Sequence, residues 1–363
     1  MTNFAVIFPG QGSQNTEMLD SYANVESFNS VINQASDILS YDIREITQDE
    51  SKLNDTTFTQ PVIVAVSVAI WNTWVDEKVS RPIFSAGHSL GEYSALVASG
   101  IISLNDCLLI VKERARMMID AMKDRESSMA AVLGLESSKI ISICEELTSP
   151  DSIIEAVNFN SDLQTVIAGD THAIDKSLDL LKKAGAKLVK PLPVSVASHT
   201  TLMKACGEKL NNLLLNTKLN NGDFPVFHNI DASCKNSSSD IIESLCKQVY
   251  SPVLWNETIK TMRENKVDIF IEVGPGKVLA GLNKRIDKEI KSNGSAVSLG
   301  HLPLTRRLER ILKKSYSLAI KDGYNIASQN YLLLAISEEN GGLAKNILAV
   351  SYTHLTLPTK RIV

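Results

Sequence analysis

Short apolar runs that end in turn residues alternate along the chain with longer segments in which apolar residues recur every three or four positions. The apolar run at 4–8 and the stretch at 267–273, rich in β-branched and aromatic residues, stop at Pro9-Gly10 and at Gly274-Pro275-Gly276. Each therefore predicts a buried strand followed by a turn. Helical spacing over 105–122 predicts an amphipathic helix. Strands and helices that alternate in this way predict an α/β protein.

The most apolar segment of the first hundred residues runs from 62 to 74 and follows Gln60-Pro61. Its length favours a buried helix over a strand, and Pro61 is expected in the first turn of that helix. No apolar run is expected to reach the length that spans a membrane.

A polar stretch at 123–128 precedes a segment with its own order of elements. The pattern predicts strands and helices in the order β-α-β-β-α-β at 129–135, 137–147, 153–157, 164–168, 173–184 and 187–192, with 158–161 linking the two central strands. This order is typical of a ferredoxin-like subdomain. We therefore predict a ferredoxin-like α+β subdomain at 126–193, inserted into a discontinuous core formed by 1–125 and 194–292.

The sequence at 87–91, Gly-His-Ser-Leu-Gly, lies between an apolar run and a helical pattern that stops at Gly100. This strand–turn–helix context is the one in which a G-x-S-x-G sequence presents a nucleophilic serine. Gly87 and Gly91 lack the Cβ atoms that would clash in so sharp a turn. Ser89 is then exposed at the head of the helix, beside a backbone N–H that the helix leaves free for a developing negative charge.

Four histidines are candidates for the general base of this serine. His199 lies where the chain returns from the inserted segment to the core, and it is the best candidate. His228 ends another apolar run and competes with it. His88 lies within the turn itself, and His172 lies in the predicted subdomain.

The composition of the chain argues against several classes of protein. The 363 residues are 44% hydrophobic and 21% charged, with a net charge of −4, so a nucleic-acid binder is not expected. The five cysteines have no C-x-x-C spacing, which argues against zinc and disulfides and favours a reducing cytoplasm. The start of the chain lacks the basic segment of a signal peptide. Residues 10–14 are glycine-rich but do not fit a nucleotide-binding P-loop.

The chain as far as about residue 292 resembles the malonyl-CoA:acyl carrier protein transacylase family. Seven stretches in the family's order carry the resemblance: 8–14, 87–93, Arg114, 157–160, 195–199, 248–252 and 272–276. The resemblance implies an α/β-hydrolase-like core with a parallel sheet, plus an inserted ferredoxin-like subdomain. It also implies malonyl-CoA and acyl carrier protein as partners, a monomer without membrane or nucleic-acid contacts, and no bound metal or cofactor.

The resemblance further implies a role for each of seven residues. These are the nucleophile Ser89, its base His199, the oxyanion-hole N–H groups of Gln11 and Leu90, the malonyl-carboxylate ligand Arg114, the backbone carbonyl of Gln248 that orients His199, and a supporting Asn158. Arg116 points to another face of the helix that carries Arg114, so it serves as the comparison.

Three other functions stay open at this point. Ala197 and Ser198 are small and would not exclude a methyl-branched malonyl unit, so a polyketide-type acyltransferase that uses another acyl-CoA is one alternative. A serine thioesterase or hydrolase is a second, and it would need an acid between Ser89 and His199. The third is an interaction module that recruits a partner through the C-terminal segment. The sequence does not locate the surface that binds acyl carrier protein.

The C-terminal segment 293–363 departs from the family pattern and is predicted to be an extraneous helical or disordered tail. Residues 304–348 resemble one helical repeat of the N-terminal domain of Clp-type chaperone ATPases. Residues 351–363 resemble a foreign tail. We therefore hypothesise that the chain is a chimera, in which case truncation near residue 292 would preserve activity.

Overall fold

The computed structural model describes residues 3–76, 80–194, 196–290, 295–298, 306–321, 331 and 334–335. The chain forms two compact units, Met1–His301 and Leu302–Val363. The strands are β1 Phe4–Phe8, β2 Phe84–Gly87, β3 Ser127–Leu133, β4 Ile154–Ser161, β5 Gln164–Asp170, β6 Leu188–Pro191, β7 Val226–His228, β8 Ser233–Cys234, β9 Ile269–Glu272 and β10 Ser295–Ser298. The helices are α1 Glu26–Leu39, α2 Ile43–Gln48, α3 Glu50–Leu53, α4 Thr56–Asp76, α5 Gly91–Ala98, α6 Leu104–Met122, α7 Ser137–Leu147, α8 Thr171–Lys183, α9 Lys204–Leu214, α10 Ser238–Gln248, α11 Trp255–Glu264, α12 Val278–Ile290 and α13 Arg306–Lys321.

The core of the first unit is a six-stranded sheet in the order β10-β9-β1-β2-β7-β8. The strands from β10 to β7 run parallel, and β8 is antiparallel to β7. Every residue of β1 is buried, as expected for a central strand with both faces covered. The carboxyl ends of β1 and β2 lead into the loop after Pro9 and into the Ser89 turn, which places both at one edge of the sheet.

The inserted segment forms a separate antiparallel sheet in the order β4-β5-β3-β6, with α7 and α8 packed on it. The order of its elements along the chain is β-α-β-β-α-β, as the sequence predicts for a ferredoxin-like subdomain. The mixed α/β architecture with a parallel core sheet is therefore confirmed. Residues 158–161 are not a link, because they continue β4, and the turn to β5 is only two residues long.

Helix α4 begins earlier than the sequence predicts, so Pro61 lies in its interior and not in its first turn. Asp55 starts the helix by accepting hydrogen bonds from the backbone N–H and the hydroxyl of Thr57. The residues before Pro61 include three threonines, whose β-branching hides the helical pattern. By length and composition α4 could cross a membrane, contrary to our expectation of no such run. However, 72% of its most apolar window is buried inside the protein, as in a core helix.

The core sheet extends past residue 292, where we predicted the core to end. Strand β10 pairs in parallel with β9, from Ser295 opposite Ile269 to Ser298 opposite Glu272. A four-residue strand is too short to stand out in the hydrophobic pattern. In the second unit, α13 is the longest described element. Most of the predicted Clp-like repeat and all of 351–363 lie outside the described residues.

Three glycines close the Ser89 turn and let it lie directly against the end of β1 and the loop after it. A Cβ on Gly91 would lie 2.0 Å from the carbonyl oxygen of Phe8, and one on Gly87 would lie 1.8 Å from the carbonyl carbon of Gly91. A Cβ on Gly10 would lie 2.5 Å from the carbonyl oxygen of His88. These are backbone contacts that cannot relax by rotating a side chain. A side chain at Gly10 or Gly91 would therefore force the two segments apart, and one at Gly87 would open the turn itself.

We expect Gly91→Ala to lower the free energy of unfolding by at least about 2 kcal/mol, because the new methyl group overlaps the backbone of β1. Gly281 in α12 is the matched control, since it is exposed and a Cβ there meets no atom within 4 Å. Gly281→Ala should raise the free energy of unfolding by about 0.5–1 kcal/mol through helix propensity. Denaturant unfolding monitored by circular dichroism measures both. Equal stability of the two variants would contradict the packing described above.

Candidate active site

Ser89 and His199 are brought together although they are 110 residues apart in the chain. Ser89 Oγ lies 2.6 Å from His199 Nε2. Ser89 occupies the turn between β2 and α5 with φ of 51°, a left-handed conformation that costs a non-glycine residue roughly 1–3 kcal/mol. Such strain is typical of a serine presented on a strand-to-helix turn. The pair has the distance required for proton transfer from the hydroxyl to the imidazole.

The hydrogen bond at Nδ1 of His199 determines which of the two ring nitrogens carries the proton. Nδ1 lies 2.7 Å from the backbone carbonyl oxygen of Gln248, which can only accept a hydrogen bond. The neutral imidazole therefore carries its proton on Nδ1, and Nε2 is free to accept the proton of Ser89. Burial, and secondarily the positive charge of Arg114, lower the pKa of His199 to about 3. No carboxylate in the described part of the chain contacts this histidine.

A cavity of about 100 Å³ lies beside this pair. Arg114, which is only 1% exposed, contributes to its wall. The guanidinium donates to the amide oxygens of Gln60 at 2.6 Å and Gln248 at 3.3 Å, and its Nε has no partner among the described residues. No described carboxylate pairs with it. The guanidinium carbon also lies 5.6 Å from the centre of the Tyr93 ring. A buried cation that has only neutral partners can still bind an anion in the cavity.

The other three predicted site residues also line the cavity. The side chain of Gln11 is held by the hydroxyl of Thr56 at 3.1 Å. Within the described residues, neither the Gln11 nor the Leu90 backbone N–H has a hydrogen-bond partner. Asn158 borders the same space, and its buried Oδ1 is without a partner in that part of the chain. The structure thus gathers the other six predicted residues around Ser89, with Gln248 contributing its backbone oxygen.

The rings of the other three described histidines do not bond to Ser89. The Nε2 of His88 donates to Asn160 Oδ1 at 2.8 Å, and burial lowers the pKa of His88. The Nδ1 of His228, the competing candidate, bonds to Glu92 at 2.8 Å. His172 lies 3.2 Å from the hydroxyl of Ser152 in the subdomain. His199 is therefore the histidine placed to accept the proton of Ser89.

The sequence analysis missed four groups at the site: the side chains of Gln60, Glu92, Asn229 and Gln248. Asn229 Oδ1 accepts the backbone N–H of Ser89 at 2.7 Å, and Gln248 Nε2 donates to the carbonyl oxygen of Ser89 at 2.9 Å. One signal was available for Glu92, which is the only charged residue of the apolar helix α5 and is fully buried. Among the described residues, no group of three or more His, Cys, Asp or Glu side chains could hold a metal ion.

Comparison with known proteins places this geometry in a family. The model of the acyl transferase domain matches residues 5–315. The malonyl CoA-acyl carrier protein transacylase of Escherichia coli strain K12 is 41% identical over 289 residues, which cover 79% of this chain and 93% of that protein. The protein of the same description from Staphylococcus aureus strain MRSA252 is 39% identical over 294 residues, with 80% and 94% covered.

Solved structures agree with these relatives. One is a complex of a type II PKS acyl-carrier protein with its malonyl-transacylase. The TM-score is 0.79 at 39% identity, and the match covers 82% of this chain and 96% of the matched chain in that complex. An acyl carrier protein S-malonyltransferase from Vibrio cholerae O1 has a TM-score of 0.78 at 39% identity, with 82% and 97% covered. Both similarities exceed the level at which only the fold is shared.

The family match also bears on the C-terminal segment. It continues to residue 315, well past the predicted boundary near residue 292. The first part of the predicted extraneous tail therefore belongs to the acyl transferase match. Neither the resemblance to Clp-type ATPases nor the chimera hypothesis has support from the comparisons.

Proposed function

Since the chain belongs to the malonyl CoA-acyl carrier protein transacylases, within the acyl transferase domain family, we propose that it transfers a malonyl group from malonyl-CoA to acyl carrier protein. The acceptor is the phosphopantetheine thiol of the carrier protein, and the malonyl group passes through an ester on Ser89. The reaction supplies malonyl units for fatty-acid synthesis. It follows a ping-pong course, because the enzyme carries the acyl group between two substrates that share one site.

The observation that carries this proposal is the pairing of a nucleophile with an anion-binding cation in one cavity. Ser89 and Arg114 both line it, and among the described residues the hydrogen bonds of Arg114 go only to neutral amides. The planar guanidinium can hold the free carboxylate of a malonyl group while the thioester carbonyl faces Ser89. A serine hydrolase of neutral thioesters has no use for such a cation.

In the first half of the reaction, His199 Nε2 takes the proton of Ser89 Oγ as the oxygen attacks the thioester carbonyl carbon. The resulting oxyanion is held by the backbone N–H groups of Gln11 and Leu90, and loss of one such donor typically costs about 10²–10³ in rate. The tetrahedral intermediate collapses to the malonyl ester, the carbon–sulfur bond breaks, and the proton on His199 passes to the sulfur of CoA.

The second half reverses these steps with a different thiol. The phosphopantetheine thiol of the carrier protein gives its proton to His199 Nε2 and attacks the ester carbonyl. Collapse breaks the bond to Ser89 Oγ, which recovers its proton from His199. No redox step and no additional cofactor are required. The Gln248 carbonyl keeps the imidazole in the productive tautomer throughout, which is the task that a carboxylate performs in a Ser-His-Asp triad.

The test is intact mass spectrometry of the protein after mixing with malonyl-CoA. We expect a gain of one malonyl group, which holo-acyl carrier protein removes with formation of the malonyl thioester. Free malonate without a carrier protein and without a lasting adduct would favour the hydrolase. An equal adduct from methylmalonyl-CoA would favour the polyketide-type acyltransferase, because Ala197 and Ser198 leave room for a methyl group.

The low pKa of His199 predicts an unusual pH profile. Because its folded-state pKa is about 3 and not the ordinary 6.5, the imidazole stays neutral down to about pH 5, and we expect kcat/KM for malonyl-CoA to vary less than about twofold between pH 8 and pH 5. In the unfolded chain the same histidine takes up a proton below about pH 6.5, so stability falls as the pH drops from 6.5 toward 3. Rates are therefore corrected for the folded fraction. A decline in corrected kcat/KM centred near pH 6.5 would contradict the prediction.

Three further expectations stay proposals. We propose that the protein acts in the cytoplasm, as the composition and the cysteine content indicate. We propose that it acts as a monomer, in keeping with the family resemblance. Its partners are then malonyl-CoA and acyl carrier protein, with no role for a nucleic acid.

A further inference from the structure

The carboxylate of Glu92 connects three segments of the core through hydrogen bonds. Glu92 is fully buried in the first turn of α5. Its Oε1 accepts from His228 Nδ1 at 2.8 Å. Its Oε2 accepts from the backbone N–H of Asn229 at 2.9 Å and from Gln248 Nε2 at 3.0 Å. Burying a carboxylate is costly unless donors surround it, and here three donors from the ends of β7 and α10 converge on it.

Two of these three partners hold the nucleophile. Asn229 Oδ1 accepts the N–H of Ser89 at 2.7 Å, and Asn229 Nδ2 donates to the carbonyl oxygen of Gly87 at 2.6 Å. Gln248 Nε2 also donates to the carbonyl oxygen of Ser89 at 2.9 Å. Both sides of the strained Ser89 backbone are thus bonded to side chains of residues that Glu92 contacts, Asn229 through its backbone N–H and Gln248 through its amide. These bonds offset part of the cost of its left-handed conformation.

The hydrogen bonds of Glu92 also connect to His199, the general base, through Gln248. Gln248 is the residue whose backbone carbonyl accepts from His199 Nδ1 at 2.7 Å. Its side chain is held by Glu92 and Ser89 on one side and accepts from Arg114 on the other. A shift of Gln248 would therefore move the base and the nucleophile relative to each other. Misplacement by about 1 Å in an active site can cost about 10²-fold in rate.

We propose that Glu92 is a positioning residue, whose carboxylate fixes Asn229 and Gln248 and thereby sets the alignment of Ser89 with His199. It touches neither the cavity nor the substrate, since it is absent from the residues that line the cavity. The proposal rests on the proposed role of Ser89 as the nucleophile. It goes beyond that role by assigning the alignment to a buried carboxylate outside the Ser89–His199 pair.

The probe is phenylmethanesulfonyl fluoride, a small serine reagent that has no carboxylate and needs neither malonyl-CoA nor carrier protein. The rate constant for modification of Ser89 is followed by intact mass and divided by the folded fraction from circular dichroism, so that it reports the alignment of Ser89 with His199. We expect Glu92→Ala to lower it about 10²-fold, because the Asn229 N–H and the Gln248 amide lose their acceptor. Glu92→Gln should restore it to within about tenfold of the native rate, since the amide oxygen can replace Oε2.

Glu272 provides the matched control, as another fully buried glutamate that accepts backbone N–H bonds, from Leu279 at 3.0 Å and Ala280 at 2.7 Å. Glu272→Ala should lower the unfolding midpoint and leave the labelling rate unchanged. If Glu92→Ala yields no folded protein, Gln248→Met tests the same array, because it keeps the backbone carbonyl and removes the amide. It should show a loss of the same order.

Native labelling rates in Glu92→Ala or Gln248→Met, or equal losses in Glu92→Ala and Glu272→Ala, would overturn the proposal. A loss in Glu92→Gln as large as that in Glu92→Ala would also overturn it, because the amide oxygen would then fail as an acceptor. Failure of the proposed function gives a different result. In that case the native protein either resists the reagent at Ser89 or is labelled there without ever forming a malonyl adduct.

Discussion

Ser89→Ala is expected to abolish the malonyl adduct and to lower malonyl transfer to acyl carrier protein by about 10⁴-fold or more, the scale of loss when a catalytic nucleophile is removed. The hydroxyl lies 2.6 Å from its base, and within the described residues no other side-chain hydroxyl contacts His199 Nε2. Intact mass after mixing with malonyl-CoA and a coupled transfer assay measure the two effects.

Ser198 is the matched control for this substitution. It lines the same cavity, but its hydroxyl lies 3.7 Å from the sulfur of Met129 and does not bond to His199. Ser198→Ala should form the adduct with a rate within about tenfold of native. An adduct that persists in Ser89→Ala would show that a different residue carries the malonyl group, and the acyl-serine mechanism would then be wrong.

Arg114→Ala is expected to lower kcat/KM for malonyl-CoA by about 10²–10³-fold, since removing one partner of a buried charged contact typically costs roughly 2–5 kcal/mol. The rate with acetyl-CoA, which has no carboxylate for the guanidinium, should not fall by more than a few-fold once corrected for the folded fraction. Steady-state kinetics with the two thioesters measure the change in preference. The physical cause is that Arg114 is buried at the cavity wall, where its hydrogen bonds among the described residues go only to neutral amides.

Arg116 on the same helix is the comparison for Arg114. Its side chain is 69% exposed and pairs with Glu113 at 3.2 Å, so Arg116→Ala should change kcat/KM for malonyl-CoA by less than about twofold. If Arg114→Ala reduced the rates with malonyl-CoA and acetyl-CoA by the same factor, Arg114 would be supporting the cavity and not selecting the carboxylate.

Local sequence patterns predicted much of the architecture. The run at 4–8 forms the buried strand β1, because a strand covered on both faces is apolar at every position. Strand β9 occupies the middle of the predicted strand at 267–273. The inserted antiparallel sheet was predictable from the order of its elements. The errors arose where short-range signals were weak, as at the threonine-rich start of α4 and at the four-residue strand β10.

The sequence by itself determined the Ser89 turn, since the steric demand for glycine at positions 87 and 91 is local and is visible in the pattern. It also offered His199 as a candidate base. Only the tertiary structure decided between His199 and His228, because the choice depends on which imidazole reaches Ser89 across more than a hundred residues of chain. The contacts of Glu92 were likewise decided there, since a hydrogen bond between distant segments leaves no periodic trace in the sequence.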